Sequence, residues 1–555
     1  MSTPEPAARA AHTSTLSALD SIFRQTRGTV TLLLPAALGI TIGLLSLTPR
    51  VQGSALLTQS FLGAAGFVLA WAALLAFTAR RGGWAPTIEI SLRAQHYIQA
   101  CCQMAVLAYW GWHWRPVYAM AVLLAAQVVF AYAFSMLLAW SRGERYVLGF
   151  GPVPIIFSIN LFLWFRDDWF WLQFLMVGVG FLGKEFVRWH REGRHVHIFN
   201  PSAFALGLFS LVLIATGTTD LTWGREIAST LTLAPHIYLY LFLVGLVVMH
   251  FFSITLIAGT AAAVLFGLSA LYASVTGVPY FVDSEIPTAV FLGLHLLVTD
   301  PSTSPRTPLG KSLFGALYGL GVFALYSILG AAGAPTFYDK LLCVPLLNLS
   351  VRGIDHFVRN VGARREAGAR RPDSLTPSVL FPGGMRNLAA MGVWVAFFAI
   401  MTAAGRTDGR HPGDSVPFWQ AACADGRANA CERLLSIEAS YCGDNSAWAC
   451  NELGLHYAEG LVVEADAELG ERYFARACEL RFQPACVNLV DPGTNARAEP
   501  RSLDLRLLLR EGGLNLMQAP ESELYLRACD HGWRFACDPH LGSAPTGGEP
   551  PSGVA

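Results

Sequence analysis

The sequence predicts an all-α protein in which a polytopic helical membrane domain of about 13 spans precedes an α-solenoid of disulfide-bonded helical repeats. Hydrophobic residues make up 53% of the 555 residues and charged residues only 14%, whereas soluble domains carry about 25% charged residues. Long apolar runs fill the first part of the chain, and eight of the eleven cysteines follow them at regular spacing. The lipid bilayer is therefore a predicted partner.

Charge and composition exclude two other classes. The formal net charge is zero, whereas a nucleic-acid-binding protein needs a concentrated basic surface. Aromatic residues make up 12% of the chain, and this content, with so few charges, does not fit a disordered polymer.

Composition divides the chain into five parts. A polar arm covers 1–28, and the membrane domain covers 29–404. A linker at 405–417 leads to the cysteine-rich repeats at 418–540. The Gly-, Pro- and Ser-rich tail at 541–555 is expected to be disordered.

Each element of the membrane domain is predicted from an apolar run, since a spanning helix needs about 20 apolar residues. The tenth and twelfth runs are short and are open to a re-entrant interpretation. The thirteen runs are 30–48, 55–78, 97–112, 116–140, 147–165, 169–187, 201–216, 235–250, 252–275, 286–299, 312–332, 338–352 and 386–404.

The connections between these runs predict an orientation. With the N-terminus inside, fifteen Lys and Arg residues fall on inside connections and four on outside ones, as the positive-inside bias requires. The expected location is a bacterial-type inner membrane, with a cytoplasmic N-terminus and an extracytoplasmic C-terminal domain. This orientation depends on an odd number of spans.

The cysteines of the tail form four pairs with seven residues inside each pair. Zinc sites prefer tighter Cys pairs, so the spacing does not indicate a metal site. The third residue after the first cysteine is Gly426, Asn445, Arg481 or Gly532, and Gly or Asn suits the left-handed residue that ends a helix. The predicted disulfides are Cys423–Cys431, Cys442–Cys450, Cys478–Cys486 and Cys529–Cys537.

These disulfides would join a helix end to the next helix start across a tight turn. Disulfides persist in oxidising compartments, which agrees with an extracytoplasmic tail. The alternative is four reduced pairs in a cytosolic domain.

The tail also carries a repeat. The run Leu453-Gly-Leu-His-Tyr-Ala-Glu-Gly, then Asp466, Ala477-Cys-Glu and Ala485-Cys486, has the layout of paired helices. It resembles the Sel-one-like repeat, a relative of the tetratricopeptide repeat, over 418–540. The resemblance implies a curved solenoid that binds a protein partner.

Two polar, proline-containing clusters interrupt the membrane domain. The first is His195-Val-His197-Ile-Phe-Asn200-Pro201, and the second is Thr299-Asp300-Pro301-Ser-Thr-Ser304-Pro305. One interpretation is that they cap helices and anchor them at the membrane interface. The other is that they form a functional site on the predicted cytoplasmic side.

The order of these clusters, followed by Asn348 and Asp355, resembles the NqrB/RnfD family over 90–360. Members are membrane subunits of ion-translocating, flavin-containing oxidoreductases, and relatives occur in enediyne biosynthetic clusters. The resemblance implies electron transport, ion transport and electron-transport subunits as partners.

The same resemblance implies flavin mononucleotide (FMN) as a cofactor. Classical members esterify FMN to a threonine in a Ser-Gly-Ala-Thr motif, but the corresponding region here, 216–236, preserves only Ser229-Thr-Leu-Thr232. Noncovalent FMN is therefore expected, with Thr232 as the candidate covalent site. The candidate polar contacts are His197, Asn200, Thr299, Asp300 and Ser304.

Two functions follow from different classes. The first is transmembrane electron transfer. The second is a non-redox transporter or membrane scaffold that retains the fold, in which the missing Ser-Gly-Ala-Thr motif has no consequence. No catalytic residue and no metal site is assigned, and it stays open whether the chain is an enzyme.

Overall fold

The computed structural model describes residues 25–27, 29–191, 193–282, 284, 286–298, 300–368, 383–405, 407, 411–460, 462–509 and 519–538. These residues belong to two compact units. The first comprises 1–265 and 288–400, and the second comprises 266–287 and 401–555. Most of the predicted polar arm and the whole predicted tail at 541–555 lie outside the described residues.

The first unit is built from helices with five short strands, and two of its helices, Thr255–Thr276 and Gly383–Ala403, end inside the second unit. Its helices are α1 Leu33–Leu45, α2 Pro49–Gln52, α3 Ala55–Gly82, α4 Ala94–His113, α5 Pro116–Ala119, α6 Ala121–Ser141, α7 Pro152–Asn160, α8 Trp171–Phe186, α9 Pro201–Thr216, α10 Gly224–Thr230, α11 Ile237–Phe252, α12 Thr255–Thr276, α13 Thr288–Leu296, α14 Pro308–Ala331, α15 Asp339–Gly368 and α16 Gly383–Ala403. Its strands are β1 Gln25–Arg27, β2 Thr87–Ile90, β3 Tyr146–Leu148, β4 Arg188–Arg191 and β5 Arg194–His197.

The strands form two small sheets. In the first, β2 pairs antiparallel with β1 and parallel with β3. In the second, β4 and β5 form an antiparallel hairpin with Arg188 opposite His197 and His190 opposite His195.

Six of the described helices are long and apolar enough to cross a membrane, so the membrane class is confirmed but the count of thirteen spans is not. Those helices are Ala55–Gly82, Ala121–Ser141, Thr255–Thr276, Pro308–Ala331, Thr336–Asn360 and Met385–Ala403. The run 338–352 lies within one of them and is not short, contrary to the expectation. The run 147–165 holds only the nine-residue α7, which is about 14 Å long and reaches halfway across a bilayer core.

Two successive series of five helices have the same pattern of long and short helices. In α4, α6, α7, α8, α9 and again in α11, α12, α13, α14, α15, the third helix has nine residues and its neighbours have at least 16. The third helix contacts the first in each series, and the fourth contacts the fifth. The two first helices contact each other, as do the two last helices. The two series therefore share a pattern of helix lengths and helix–helix contacts.

The last helices of the two series, α9 and α15, approach closely. A Cβ atom on Gly207 of α9 would lie 2.6 Å from Cγ of Pro345 and 2.9 Å from the carbonyl oxygen of Leu341, both on α15. Because Gly207 lacks that atom, the two helices can cross at short range. This crossing brings the start of α9 near the middle of α15, where the polar clusters meet.

The second unit contains short helices, most of which pack against the next helix in sequence. They are α17 Val416–Ala424, α18 Ala430–Gly443, α19 Ala447–Glu459, α20 Ala467–Glu479, α21 Gln483–Val490, α22 Ser502–Leu508 and α23 Glu521–Asp530. Ser415, Ser446 and Asp466 cap α17, α19 and α20 by accepting a hydrogen bond from a backbone N–H of the first turn.

The four predicted disulfides are present, with Cα atoms 4.5 to 4.8 Å apart. The turns between them are also as expected, because Gly426, Asn445, Arg481 and Gly532 all have positive φ, between 63° and 90°. In each turn this residue donates its N–H to the carbonyl of the first cysteine, and the next residue donates to the carbonyl before that cysteine. One backbone motif thus ends four helices.

The boundary of the second unit differs from the expected one. Residues 266–287, which the sequence assigned to the membrane domain, belong to this unit. Val278 lies in its core, Arg427 donates to the carbonyl of Gly277 at 3.0 Å, and Asn429 donates to the Tyr272 hydroxyl at 2.9 Å. The boundary between the two units falls inside α12. The apolar sequence of this helix continues on both sides of the boundary, so the sequence gives no sign of it.

Candidate functional site

The β4–β5 hairpin places two large side chains inside the first unit. Side chains alternate along a strand, and in β4 Trp189 and Arg191 are buried while Arg188 and His190 are exposed. The hairpin joins the end of α8 to the start of α9. The second strand of the hairpin ends at His197, three residues before Asn200.

Asn200 links the two polar clusters while capping α9. Its Oδ1 accepts from the N–H groups of Ser202 and Ala203 at 3.1 and 3.5 Å. Its Nδ2 donates to the carbonyl of Leu297, just past α13, at 3.1 Å. Both ends of the amide are thus satisfied within the protein, and Asn200 is a buried junction between distant segments.

Asn348 of α15 joins the same segments a second time. Its Oδ1 accepts from the Asn200 backbone N–H at 3.1 Å, and its Nδ2 donates to the carbonyl of Thr303 at 3.2 Å. The side chain is 1% exposed. One amide therefore satisfies two buried backbone groups that no helix or strand pairs.

His197 faces the second cluster. Its Nε2 lies 3.8 Å from Oδ2 of Asp300 and 3.2 Å from the Ser302 hydroxyl. The Ser302 N–H donates to Oδ1 of Asp300 at 2.9 Å. Burial opposes ionisation of Asp300, but His197 and the Ser302 donors stabilise its carboxylate more, so its pKa lies below the usual value.

Arg191 anchors the other end of the second cluster. Its Nη2 lies 2.7 Å from Oδ2 of Asp355, and its two Nη groups donate to the Ser304 carbonyl at 3.2 and 3.3 Å. This ion pair joins β4 to α15. The hairpin, the loop after α13 and the helix α15 are thereby held around one point.

Three buried donors at this point have no hydrogen-bond partner within the described part of the chain: Trp189 Nε1, Arg191 Nε and the Ser304 hydroxyl. Buried polar groups are almost always paired with protein or with another molecule. Two of the three, on Trp189 and Arg191, share one face of β4, and Arg191 contacts Ser304 directly. The three donors are thus carried by β4 and by the segment after α13 that Arg191 contacts.

Cationic side chains lie near Asp300. Lys184, at the end of α8, interacts electrostatically with it and with Arg93. His96, in the first turn of α4, also interacts with it, but burial and the neighbouring Lys184 and Arg93 lower the His96 pKa to about 4, so this imidazole is neutral near pH 7. The site therefore combines the positive charges of Lys184, Arg93 and Arg191 with N–H donors. Such a site suits an anionic ligand with several hydrogen-bond acceptors.

The structure brings together His197, Asn200, Asp300 and Ser304 of the predicted residues. Thr299 lies outside the described residues. Thr232 lies beyond the other end of α9, where its hydroxyl donates to the Ser229 carbonyl at 2.6 Å; the structure does not bring it to this site. Among the described residues, no group of three or more His, Cys, Asp or Glu side chains is arranged to hold a metal ion.

Sequence reasoning missed Trp189 and Arg191. Their signal is the alternation of Arg188-Trp189-His190-Arg191, which becomes informative once this segment is taken as a strand. Comparison of the chain with models of known protein families, with curated proteins and with solved structures gave no match.

Proposed function

We propose that the chain is a multi-pass membrane protein that takes part in electron transfer and holds noncovalent FMN, or a closely similar flavin nucleotide, at the site between β4, the loop after α13 and α15. The observation that carries the proposal is the set of unpartnered buried donors on Trp189, Arg191 and Ser304. The resemblance to NqrB/RnfD subunits in the order of the polar clusters supports it.

The residues present fit this group. A flavin nucleotide carries a phosphate dianion and ring carbonyl and nitrogen acceptors, which match Lys184, Arg93 and the unpartnered donors. A bound flavin supplies one- and two-electron redox chemistry. Within the protein, Asn200 and Asn348 fix the two backbone segments, and Asp300 orients His197.

For the second unit, we propose an α-solenoid on the extracytoplasmic side that binds a protein partner. Sequential packing of its helices supports the solenoid, and the four disulfides support an oxidising compartment. The charge bias of the connections supports an N-terminus on the cytoplasmic side.

The absorption spectrum of the purified protein, before and after acid precipitation, tests the flavin. A yellow chromophore released by acid is expected. Ser304→Ala should reduce its yield several-fold at unchanged thermal stability, because the Ser304 hydroxyl bonds to no described group of the protein. Ser210→Ala is the matched control, since this buried hydroxyl donates to the Leu206 carbonyl of its own helix and should not affect the chromophore.

A non-redox transporter or scaffold is the second candidate. It is favoured by the absence of a Ser-Gly-Ala-Thr motif in 216–236 and by the hydrogen bonds that both ends of the Asn200 amide make within the protein. Purification without any chromophore, under conditions that preserve the fold, would select this candidate.

A further inference from the structure

The outward face of the β4–β5 hairpin carries three histidines. His190 lies opposite His195 in the strand register, and Arg188 lies opposite His197. Because cross-strand partners share one face of a sheet, these side chains point away from the buried face that carries Trp189. Three of the chain's 14 histidines are thus concentrated on one face of two four-residue strands. We call this surface, formed by His190, His195 and His197, the histidine face.

Two of these histidines, His190 and His195, face each other. Their ring centroids lie 5.0 Å apart, and the ring planes make an angle of 74°. Both residues are exposed, so a solute can reach the pair from the solvent. His197, by contrast, is directed at Asp300 and Ser302. The pair of His190 and His195 is therefore the part of the histidine face that is open to an added ligand.

The separation of the two rings matches that of two imidazoles bound to one metal ion. Zinc binds an imidazole nitrogen at about 2.0–2.1 Å, and at a tetrahedral angle this bond length places the centres of two coordinated rings about 5 Å apart. Imidazole is a preferred ligand of zinc, copper and nickel, whereas magnesium and calcium prefer oxygen ligands. The pair therefore favours a divalent transition metal over magnesium or calcium.

Two protein ligands leave the coordination sphere of such an ion open. Among the described residues, no third His, Cys, Asp or Glu side chain joins the pair in a metal-binding group. A tetrahedral ion at the pair therefore keeps about two positions for water. This open coordination distinguishes the pair from a closed structural zinc site, in which the protein supplies every ligand.

Two arginines near the pair are arranged so that they oppose a cation only weakly. Arg188, on the same face, forms an ion pair with Glu185. The guanidinium of Arg352 lies over the ring of Trp189, 5.2 Å from the ring centroid, and therefore on the other face of β4. Both arrangements limit the electrostatic repulsion that a divalent cation meets at the histidine face.

We propose that His190 and His195 together bind a divalent transition-metal ion of the zinc class on the outward face of the hairpin. The ion links β4 to β5. Since an isolated two-stranded hairpin is marginally stable in water, binding stabilises the pairing of the two strands. The other face of β4 carries Trp189 and Arg191, so the ion also holds this strand at the candidate site. The inference goes beyond the proposed function and does not depend on a flavin, because the two imidazoles alone bind the ion.

Titration of the full chain with Zn²⁺ tests the site. The protein, in lipid nanodiscs and without a histidine tag, is first treated with EDTA and then titrated in a calorimeter. The strongest binding is expected to involve one Zn²⁺ per chain, and His190→Ala and His195→Ala should each weaken it about tenfold or more, because each removes one of two ligands. His250→Ala is the matched control, since His250 is exposed and its ring contacts Phe251. It should leave binding within about twofold.

Hydrogen exchange tests the effect on the hairpin. With free Zn²⁺ at about ten times its dissociation constant, exchange of the amides in 188–197 should slow about tenfold in the wild type, because an ion that binds only the paired strands suppresses their opening. The same Zn²⁺ should not slow exchange in His195→Ala. Binding of Zn²⁺ to the pair without slower exchange would overturn the stabilisation of the hairpin.

Two other results would overturn the metal site itself. They are the absence of Zn²⁺ binding in the wild type and undiminished binding in both histidine variants. Melting curves in EDTA establish that the variants fold, and His195→Asn replaces the alanine variant if that one does not. Purified protein that lacks a chromophore but binds Zn²⁺ as expected would contradict the proposed flavin and support the metal site, so the two proposals fail separately.

Discussion

The two units hold their chains together in opposite ways. In the second unit the covalent cross-links are local, since each disulfide joins residues eight positions apart. In the first unit the polar contacts of the candidate site are remote, because Asn200 lies 97 positions from Leu297 and 148 positions from Asn348. Disulfides between nearby residues give a regular cysteine spacing that can be read in the sequence. Hydrogen bonds between distant residues become visible only in the folded structure.

This comparison predicts that the largest loss of stability from a single polar substitution occurs in the first unit. Asn348→Ala leaves the Asn200 N–H and the Thr303 carbonyl without their partner in a buried place. We expect a loss of about 3–5 kcal/mol, since each unpaired buried group costs about 1–3 kcal/mol. The measurement is thermal unfolding in detergent, with hydrogen exchange assigning the loss to residues 30–360.

Asn360→Ala is the matched control for this prediction. Asn360 lies on the same helix, is exposed, and pairs with His356 one turn earlier. Its replacement should change stability by less than about 0.5 kcal/mol. A similar loss in both variants would mean that Asn348 does not join the two segments.

Loss of disulfides should affect the stability of the second unit and not that of the first. The replacement of Cys442 and Cys450 by Ala should destabilise the second unit by about 3 kcal/mol, because a short closed loop contributes about 2–3 kcal/mol and both sulfurs are buried. The described cysteines of the first unit, Cys101, Cys102 and Cys343, are free thiols. Dithiothreitol should therefore lower the melting temperature of the second unit alone.

Peptide mapping of the unreduced chain checks the pairing itself. Four local links are expected, and links between different pairs would contradict both the turn motif and the repeat. If dithiothreitol lowered the melting temperatures of both units equally, disulfides would not be what distinguishes the stability of the second unit from that of the first.

The contrast also explains what could be predicted from sequence. Gly426, Asn445 and Gly532 fall at the same offset in each cysteine pair, and three small or turn-forming residues at one offset specify a backbone conformation. The helix start at Asn200-Pro201 was predictable for the same reason, since a cap depends on a few adjacent residues.

The rest depended on packing between distant segments. Nothing near Arg191 in the sequence indicates that it pairs with Asp355, 164 residues away. Hydropathy alone predicted a span at 147–165, whereas this run contains the nine-residue α7, seven of whose residues are buried inside the protein. Apolar composition alone does not distinguish lipid from protein as the surrounding medium.

A third prediction concerns pH and is confined to the second unit. Burial raises the pKa of Glu452 to about 7, although Arg497 opposes the shift. Burial also raises the pKa of Glu438, although His456 opposes it, and the carboxylates around His456 outweigh burial and raise its pKa. All three groups therefore bind protons more strongly in the folded state.

Because the folded unit binds more protons, its stability should fall as pH rises from about 4.5 to 7. We expect Glu452 to contribute about 2 kcal/mol to this fall, less than its full pKa shift implies because Arg497 is half in solvent. Unfolding at pH 5, 6, 7 and 8 in the wild type and in Glu452→Gln measures it. A variant with the same pH dependence as the wild type would show that Glu452 is not the responsible group.

The smallest predicted effect tests the turn motif where the sequence departs from it. Arg481 occupies the position held by Gly or Asn in the other three turns and has a φ of 63°. A left-handed conformation costs a residue with a side chain about 1–2 kcal/mol, whereas glycine loses about 0.5–1 kcal/mol of chain entropy on folding. Arg481→Gly should therefore stabilise the second unit by about 0.5–1 kcal/mol. The Arg481 side chain is exposed, and the Arg481 carbonyl, which accepts from Arg501, stays in place in the variant.

Gly426→Ala is the reverse control, because no atom lies within 4 Å of the added Cβ and only the backbone conformation opposes the substitution, at about 1 kcal/mol. Opposite signs for the two variants, measured by denaturant unfolding of the full chain, would show that one left-handed residue ends the helix in each turn. Destabilisation by both would mean that Arg481 stabilises its turn through its side chain.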